Sequence, residues 1–278
     1  MVARDSASLR PVFIESPSGR LFGVYRTAIR ERGRRRAALF IPAFAEEMNR
    51  SRRVAALQAQ AFAASGIDTL LLDLFGTGDS DGDFGEARLA FWLDDITAAA
   101  DWLEAQAGAT PCLWGLRLGA LLACAVAAAQ PDRFARLLLW QPVADAKIML
   151  TQFLRIRVAA AMAEGGVTEK TEELRARLLS GAPVEVAGYE LSSELARALD
   201  VLRLDTLSLA ADAQVDWLEI GSDRSDRLLA QSERIVENWR KAGVRLSTAT
   251  VFAEPFWSLQ ETTLAPELIA ATTRLFEP

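Results

Sequence analysis

The chain has 278 residues, of which 51% are hydrophobic and 24% are charged, the balance of an ordinary globular protein. Its formal net charge of −6 argues against a nucleic-acid-binding protein, because such proteins usually carry a basic face. The chain contains no histidine, and it therefore lacks the commonest general base near neutral pH and the commonest metal ligand. We predict neither a metal site nor a bound cofactor.

Several features bear on the cellular compartment. No apolar run approaches the roughly 18–20 residues of a transmembrane helix, and the N-terminal stretch MVARDSASLR lacks the apolar core of a signal peptide. Both cysteines, Cys112 and Cys124, lie in apolar runs, which favours buried thiols over a disulfide. These features predict a cytoplasmic protein.

Short β-rich runs alternate with longer helical patterns along the chain, as in a mostly parallel central sheet with helices on both faces. An opening antiparallel pair is predicted at 12–15 and 21–26. Later strands are predicted over 37–41, 69–73, 112–114, 137–140, 215–220 and 245–251. Helices are predicted over 51–64, 89–106, 118–130, 226–241 and 259–276.

The alternation of strands and helices stops between about 145 and 209. This stretch is predicted to hold helices and a segment marked by glycine and proline, SGAPVEVAGYELS. We predict a core formed by 1–144 and 210–278, with 145–209 inserted as a helical cap.

A five-residue motif marks the junction between the strand at 112–114 and the helix that follows it. Gly115-Leu116-Arg117-Leu118-Gly119 has the spacing of the G-x-S-x-G nucleophile elbow, in which glycines permit a sharp strand-to-helix turn. The central residue is Arg117, whose guanidinium neither loses its proton in proteins nor acts as a nucleophile. The motif therefore predicts an α/β-hydrolase fold without the usual serine chemistry.

The other positions of a Ser-His-acid triad are only partly filled. Asp223 follows a late strand, where the triad acid of this fold belongs, and Glu254 stands where the histidine is expected after the last strand. Glu46 and Glu47 occupy the loop predicted after the strand at 37–41, where amides of an oxyanion hole usually lie. Two carboxylates there oppose developing negative charge and weaken the ordinary mechanism further.

A Gly/Asp-rich loop follows the strand at 69–73 and reads DLFGTGDSDGDF. It is similar to the D-x-x-G-x-G-x-S-x-G loop of many α/β-hydrolases. A dinucleotide loop is disfavoured, because no helix opens directly on it. A calcium loop through Asp79, Asp81 and Asp83 is disfavoured as well, because the glycine is misplaced and no bidentate glutamate closes the loop.

Together, IPAFAEEMNRSRR, DLFGTGDSDGDF, LWGLRLGALLA, GAPVEVAGYELS and EPFW resemble the exosortase A system-associated hydrolase 2 family, over about residues 11–260. That family has the α/β-hydrolase fold and occurs beside exopolysaccharide loci and the sorting system for PEP-CTERM proteins. The resemblance implies a cytoplasmic role near one of those systems. It also implies that the elbow arginine belongs to the family pattern.

Arg117 has three interpretations. A buried cation at a helix N-terminus needs an anion nearby, and the candidates are Glu46, Glu47, Asp223 and Glu254. Arg117 is either a structural ion-pair centre or, with the helix amides, the binding site of a carboxylate, phosphate or acidic sugar. A general-base role for Glu46 or Glu47 ranks last, because the neighbouring arginine is expected to lower the pKa of such a base.

Two hypotheses for function follow. In the first, the chain is a non-catalytic homologue that binds a small anionic ligand or a partner protein. In the second, it is a hydrolase or acyltransferase that acts on an ester or thioester through Arg117 and carboxylates. The residues predicted to contact the ligand are Arg117, Asn49, Leu118, Gln141 and Trp257.

Overall fold

The computed structural model describes residues 8–29, 35–165, 169–221, 227–261 and 263–277. Its strands in chain order are β1 (Leu9–Ser16), β2 (Gly19–Arg26), β3 (Arg36–Ile41), β4 (Ile67–Leu72), β5 (Cys112–Leu116), β6 (Arg136–Trp140), β7 (Val184–Val186), β8 (Tyr189–Leu191), β9 (Gln214–Gly221) and β10 (Arg245–Phe252). Its helices are α1 (Glu46–Ala64), α2 (Leu89–Ala107), α3 (Leu118–Ala129), α4 (Ala146–Ala163), α5 (Thr171–Ser180), α6 (Ser193–Asp200), α7 (Ala230–Lys241) and α8 (Pro266–Arg274). Short 3-10 turns lie at Phe84–Glu86 and Leu204–Thr206.

Eight strands form one sheet in the order β1-β2-β4-β3-β5-β6-β9-β10. β1 pairs with β2, and β2 pairs with β4, in antiparallel fashion. The remaining strands of the sheet, β4, β3, β5, β6, β9 and β10, run parallel to one another. This sheet confirms the predicted opening pair and the predicted α/β-hydrolase fold.

Each face of the sheet has its own hydrophobic cluster. Along β3, Leu39 and Ile41 belong to the cluster that also holds buried residues of α2, α3 and α7. Ala38 and Phe40 belong to the cluster packed against α1 and α8. Because side chains alternate across a strand, one continuous apolar run buries both faces. The helices therefore cover both sides of the sheet, as predicted.

The segment predicted as a cap holds α4, α5, the β7–β8 hairpin and α6. Its apolar side chains, such as Leu154 and Leu178, belong to the same cluster as α2 and α3. The hairpin turns at Ala187 (φ 50°) and Gly188 (φ 84°), the pair of positive angles that a type I′ hairpin turn requires. The sequence did not predict this hairpin, and the boundaries of the cap stay a prediction.

Three predicted helices have different limits in the structure. α1 begins at Glu46 rather than at 51, because the turn at Ala45 starts the helix directly after β3. α7 begins at Ala230 rather than at 226, and the amide of Leu229 before it donates to Glu219 Oε2 at 2.7 Å. The helix predicted over 259–276 is shorter and begins at Pro266, a residue suited to the first turn.

Candidate functional site

The site lies where β5 passes into α3 through the predicted elbow. Arg117 joins the two elements with φ 56° and ψ −117°, a conformation that L-residues rarely adopt. A Cβ on Gly115 would lie 2.4 Å from the amide nitrogen of Ala120, so the turn leaves no room for a side chain there. The backbone of a nucleophile elbow is therefore present, with a guanidinium in place of a nucleophile.

A second turn of the same kind lies beside the elbow. Ala45 joins β3 to α1 with φ 50° and ψ −126°, close to the angles of Arg117. β3 and β5 are neighbours in register, and a Cβ on Gly119 would lie 2.1 Å from the carbonyl oxygen of Ile41. The backbones of the two turns touch, which explains the second glycine of the motif.

Glu46 and Glu47 form the first turn of α1 instead of the loop expected from the sequence. Carboxylates are favourable at this end because the helix dipole is positive there. This position also directs Glu47 toward the elbow, since α1 and α3 begin at the same edge of the sheet.

Arg117 forms an ion pair with Glu47, one of the four candidate anions. Arg117 Nε donates to Glu47 Oε1 and Oε2 at 3.4 and 3.3 Å, and Nη2 donates to Oε1 at 3.3 Å. The two side chains are 16% and 26% exposed. The guanidinium carbon also lies 5.4 Å from the ring centroid of Trp257, within cation–π range. The distances to Glu47 exceed the 2.7–2.9 Å that is typical of charge-assisted hydrogen bonds, so the pair is loose.

Burial raises the pKa of Glu47, although Arg117 and Arg50 both act to lower it. The neighbouring arginine acts in the expected direction, but burial outweighs it, so the pKa of this carboxyl is raised and not lowered as the sequence led us to expect. The physical reason is desolvation of a carboxylate that has little contact with water and only a long ion pair to compensate. Glu47 thus has the raised pKa that a carboxylate base needs.

Glu46 takes part in a different contact, with the β7–β8 hairpin. The Tyr189 hydroxyl donates to Glu46 Oε2 at 3.3 Å and accepts from Asn49 Nδ2 at 2.9 Å, while Asn49 Nδ2 also donates to Glu46 Oε2 at 3.1 Å. Burial and the neighbouring Glu46 carboxylate raise the pKa of Tyr189. We call these three residues the latch, because they join the hairpin to the first turn of α1.

Arg50 links the same turn to the loop after β10. Its Nη1 donates to the carbonyl of Ser258 at 2.7 Å, and its Nε donates to Glu46 Oε1 at 3.5 Å. This contact lies next to Trp257, whose ring is within cation–π range of Arg117. Sequence reasoning did not single out Arg50 or Tyr189, although both lie in two of the motifs that carry the family resemblance.

The other predicted ligand contacts have structural partners. Gln141 Oε1 accepts from the amide of Ile220 at 2.6 Å, which ties the end of β6 to β9. The buried Leu118 lines a cavity of about 10 Å³ together with Phe44 and Met48. Such a space holds about one water molecule. A larger ligand would therefore approach Arg117 from its exposed side.

The two remaining candidate anions, Asp223 and Glu254, have different outcomes. Asp223 lies outside the described residues. The side chain of Glu254 is exposed, and its carbonyl accepts from the amide of Phe256 at 2.8 Å. Of the four candidate anions, Glu47 is the one that the described part of the chain places on the guanidinium.

Among the described residues, no cluster of three or more histidine, cysteine, aspartate or glutamate side chains could hold a metal ion. Within the same ranges, no helix has the length and apolar character to cross a bilayer. Cys112 and Cys124 are buried free thiols, as predicted.

The sequence of the chain matches the model of one protein family. The family model described as serine aminopeptidase, S33 matches residues 34–214. The structure is similar to Est1E from Butyrivibrio proteoclasticus, with a TM-score of 0.63, 14% identity, and 95% of this chain and 96% of that one covered. A putative hydrolase from Agrobacterium vitis S4 is similar with a TM-score of 0.63 and 15% identity, over 98% of this chain and 100% of that one. An alpha-beta serine hydrolase homologue from Coxiella burnetii has a TM-score of 0.54 and 15% identity, and the whole of both chains is covered. Comparison with curated proteins gives no match.

Proposed function

Because the chain belongs to the serine aminopeptidase S33 family, whose model matches residues 34–214, we propose that it is a non-catalytic member that binds a small anionic ligand at Arg117. The observation that carries the proposal is the guanidinium at the elbow position. A serine hydrolase needs a nucleophile there and a histidine to take its proton, whereas this chain has Arg117 and no histidine. The proposed ligand carries a carboxylate, a phosphate or an acidic sugar.

The loose pair with Glu47 supports exchange of one anion for another. Arg117 stays charged, and its nitrogens lie 3.3–3.4 Å from the Glu47 oxygens. A ligand oxyanion at shorter distance would gain two charge-assisted hydrogen bonds from the planar fork. Glu47 is the competitor for the same donors, and its raised pKa means that giving up its charge costs less than for an ordinary carboxyl.

The proposed setting is exopolysaccharide assembly or PEP-CTERM protein sorting in the cytoplasm. The support for this setting is the resemblance carried by the motifs at 41–53, 73–84, 113–123, 181–192 and 254–257. Acidic sugars are anions that occur in exopolysaccharides. A uronic acid is therefore a sensible first ligand to test beside a simple oxyanion.

Calorimetric titration with sulfate, acetate and glucuronate tests the binding proposal. We expect wild type to bind at least one of them at one site and Arg117→Gln to lose that binding. Glu47→Gln should bind about tenfold more tightly, which corresponds to about 1.4 kcal/mol, because the competing carboxylate is gone. Arg53→Gln, on the exposed side of α1, is the matched control and should behave as wild type. Equal binding by Arg117→Gln and wild type would contradict the proposal.

A second candidate, a hydrolase or acyltransferase, is favoured by the raised pKa of Glu47 alone. In the hydrolase reaction the Glu47 carboxylate takes a proton from water, and the resulting hydroxide attacks the acyl carbon of an ester or thioester; in acyl transfer the hydroxyl of an acceptor alcohol takes the place of water. The guanidinium of Arg117 stabilises the tetrahedral oxyanion. The leaving alkoxide or thiolate then takes the proton back from Glu47.

Turnover of short and long acyl esters and thioesters separates the two candidates. We expect no turnover by wild type above that of Arg117→Ala and Glu47→Ala. Turnover that disappears in both variants would replace the binding proposal by the catalytic one, with the chemistry at the elbow.

A further inference from the structure

A second candidate site lies between α1 and the N-terminal hairpin, on the sheet face that α1 covers. It is a groove of about 250 Å³. Val24 from β2, Phe40 from β3 and Ala56 from α1 contribute to its mainly apolar lining, and Leu9 from β1 lies at its outer side. A concave, mainly apolar lining with a few polar groups is typical of small-molecule sites.

The groove exists because the sheet extends beyond its helix. Leu9 and Arg26, and likewise Phe13 and Phe22, are partners across the hairpin, so their side chains lie on one face. Leu9 and Phe13 remain 56% and 57% exposed. The hairpin thus adds an open apolar wall beside α1, and Phe13 continues that wall through a ring contact with Phe22 at 5.7 Å.

The two ends of the groove differ in charge. At one end, Arg52 Nη2 donates to Asp73 Oδ2 at 3.0 Å, so that cation is neutralised within the protein. At the other end, Arg26 lines the groove, its Nε is buried without a hydrogen-bond partner, and no carboxylate in the described ranges pairs with its guanidinium. An unpaired guanidinium at the end of an apolar groove is complementary to a carboxylate with a hydrocarbon tail.

We propose that this groove binds an unesterified fatty acid, with its carboxylate on Arg26 and its chain along β2 and α1 toward Met48. The stretch of β2 from Phe22 to Arg26 is about 13 Å long at 3.3 Å per residue. Burial of the chain against Val24, Phe40 and Ala56 supplies the apolar part of the binding energy. The carboxylate gives Arg26 the partner that the described residues do not provide.

This site is separate from the anion site at Arg117, and the proposal does not depend on that function. None of the residues that line the groove pairs with Arg117. Met48 and Pro42 line both the groove and the small cavity beside Leu118. The inner end of the groove therefore lies near the elbow, while its charged end lies at the opposite edge of the sheet.

Calorimetric titration of the full chain with decanoate, laurate and palmitate tests the proposal, with decanol as the uncharged analogue. We expect saturable binding of one fatty acid per chain. Ala56→Trp, which fills the groove from an exposed helix position, should lose at least tenfold in affinity. Arg26→Gln should weaken decanoate binding about tenfold and leave decanol binding unchanged. Arg53→Gln, on α1 but outside the groove, should match wild type, and thermal unfolding checks that every variant is folded.

Three outcomes would overturn the proposal. The first is no saturable binding of any of the three acids by wild type. The second is equal binding by Ala56→Trp and wild type, which would place the ligand elsewhere. The third is self-association in sedimentation that Ala56→Trp abolishes, with no fatty acid bound, which would assign the groove to a second copy of the chain. Loss of sulfate binding in Arg117→Gln bears only on the function proposed above, so the two failures are distinguishable.

Discussion

Arg117 and Glu47 face each other from two neighbouring turns that share the same rare backbone geometry. In these two turns the residue with positive φ is Arg117 itself and, beside Glu47, Ala45, which lies two positions before it. The nearest nitrogen–oxygen distance between the paired side chains is 3.3 Å. An arginine at a helix N-terminus is opposed by the helix dipole, and Glu47 offsets that cost. Any oxyanion that binds Arg117 must therefore compete with Glu47.

This competition predicts how anion binding depends on pH. Protonation of Glu47 removes the negative charge that is paired with Arg117, and burial raises the pKa of Glu47. Sulfate keeps its charge across the range, so its affinity should rise as the pH falls through the raised pKa of Glu47. Titration calorimetry between neutral and mildly acidic pH measures this trend.

Glu47→Gln is the control for that pH dependence, because it cannot ionise. Its sulfate affinity should stay constant over the same range and match the acidic limit of wild type. A wild-type affinity that is flat with pH would show that Glu47 does not compete for Arg117. A trend that persists in Glu47→Gln would assign the titration to another group.

The close contact of the two turns predicts a strong effect at Gly119. A Cβ there would lie 2.1 and 2.4 Å from the carbonyl oxygens of Ile41 and Pro42. These are backbone atoms of a central strand and its turn, and they cannot move aside cheaply. Gly119→Ala should lower the free energy of unfolding by about 3 kcal/mol or more, as measured by urea denaturation.

Gly165→Ala provides the matched comparison for that variant. Gly165 has φ +70°, and a Cβ there meets no atom within 4 Å. The cost is then the left-handed backbone alone, about 1–2 kcal/mol. An equal decrease in the free energy of unfolding of the two variants would mean that the turns can separate without cost.

Removal of the Tyr189 hydroxyl should loosen the latch. Tyr189→Phe breaks the contacts with Glu46 and Asn49, and an intramolecular hydrogen bond contributes about 0.5–1.5 kcal/mol. We expect faster amide exchange in the β7–β8 hairpin and unchanged exchange in β5. Glu185→Gln, an exposed change on the same hairpin, should leave both rates unaltered. Unchanged hairpin exchange in Tyr189→Phe would show that apolar packing holds the hairpin.

The two thiols should be inert while the protein is folded. Burial raises the pKa of Cys112 to about 12 and also raises the pKa of Cys124. Since the thiolate is the reactive form, Ellman's reagent at pH 8 should detect no thiol in the native protein and both after unfolding in urea. Cys112→Ser should give one thiol after unfolding. Rapid reaction of one native thiol would contradict its burial.

The fold could be predicted because its signals are local. The run AALFI over 37–41 is apolar at every position, as a strand buried on both faces requires, and β3 has both faces covered. The glycines at 115 and 119 predicted the elbow from spacing alone. Helix limits were harder to predict, since the start of α7 depends on Glu219, a residue of β9 that accepts from Leu229.

The partner of Arg117 could not be chosen from the sequence. Four carboxylates were candidates, and they come from three separate parts of the chain. Glu47 is the partner in the structure because α1 begins at Glu46, which aims the second residue of the helix at the elbow. The sequence also did not predict that the pKa of Glu47 is raised, because that result depends on the balance between desolvation and the distance to Arg117.

The sequence by itself determined the class of fold, the presence of an elbow, and the absence of Ser-His-acid chemistry, because each follows from residue type and spacing. Tertiary structure decided which anion meets Arg117 and how Tyr189 reaches Glu46. It also decided that Arg26 ends an apolar groove without a partner among the residues that the structure describes. These relationships join residues from separate parts of the chain. Their energies depend on distance and burial, and those quantities exist only once the sheet and helices have packed.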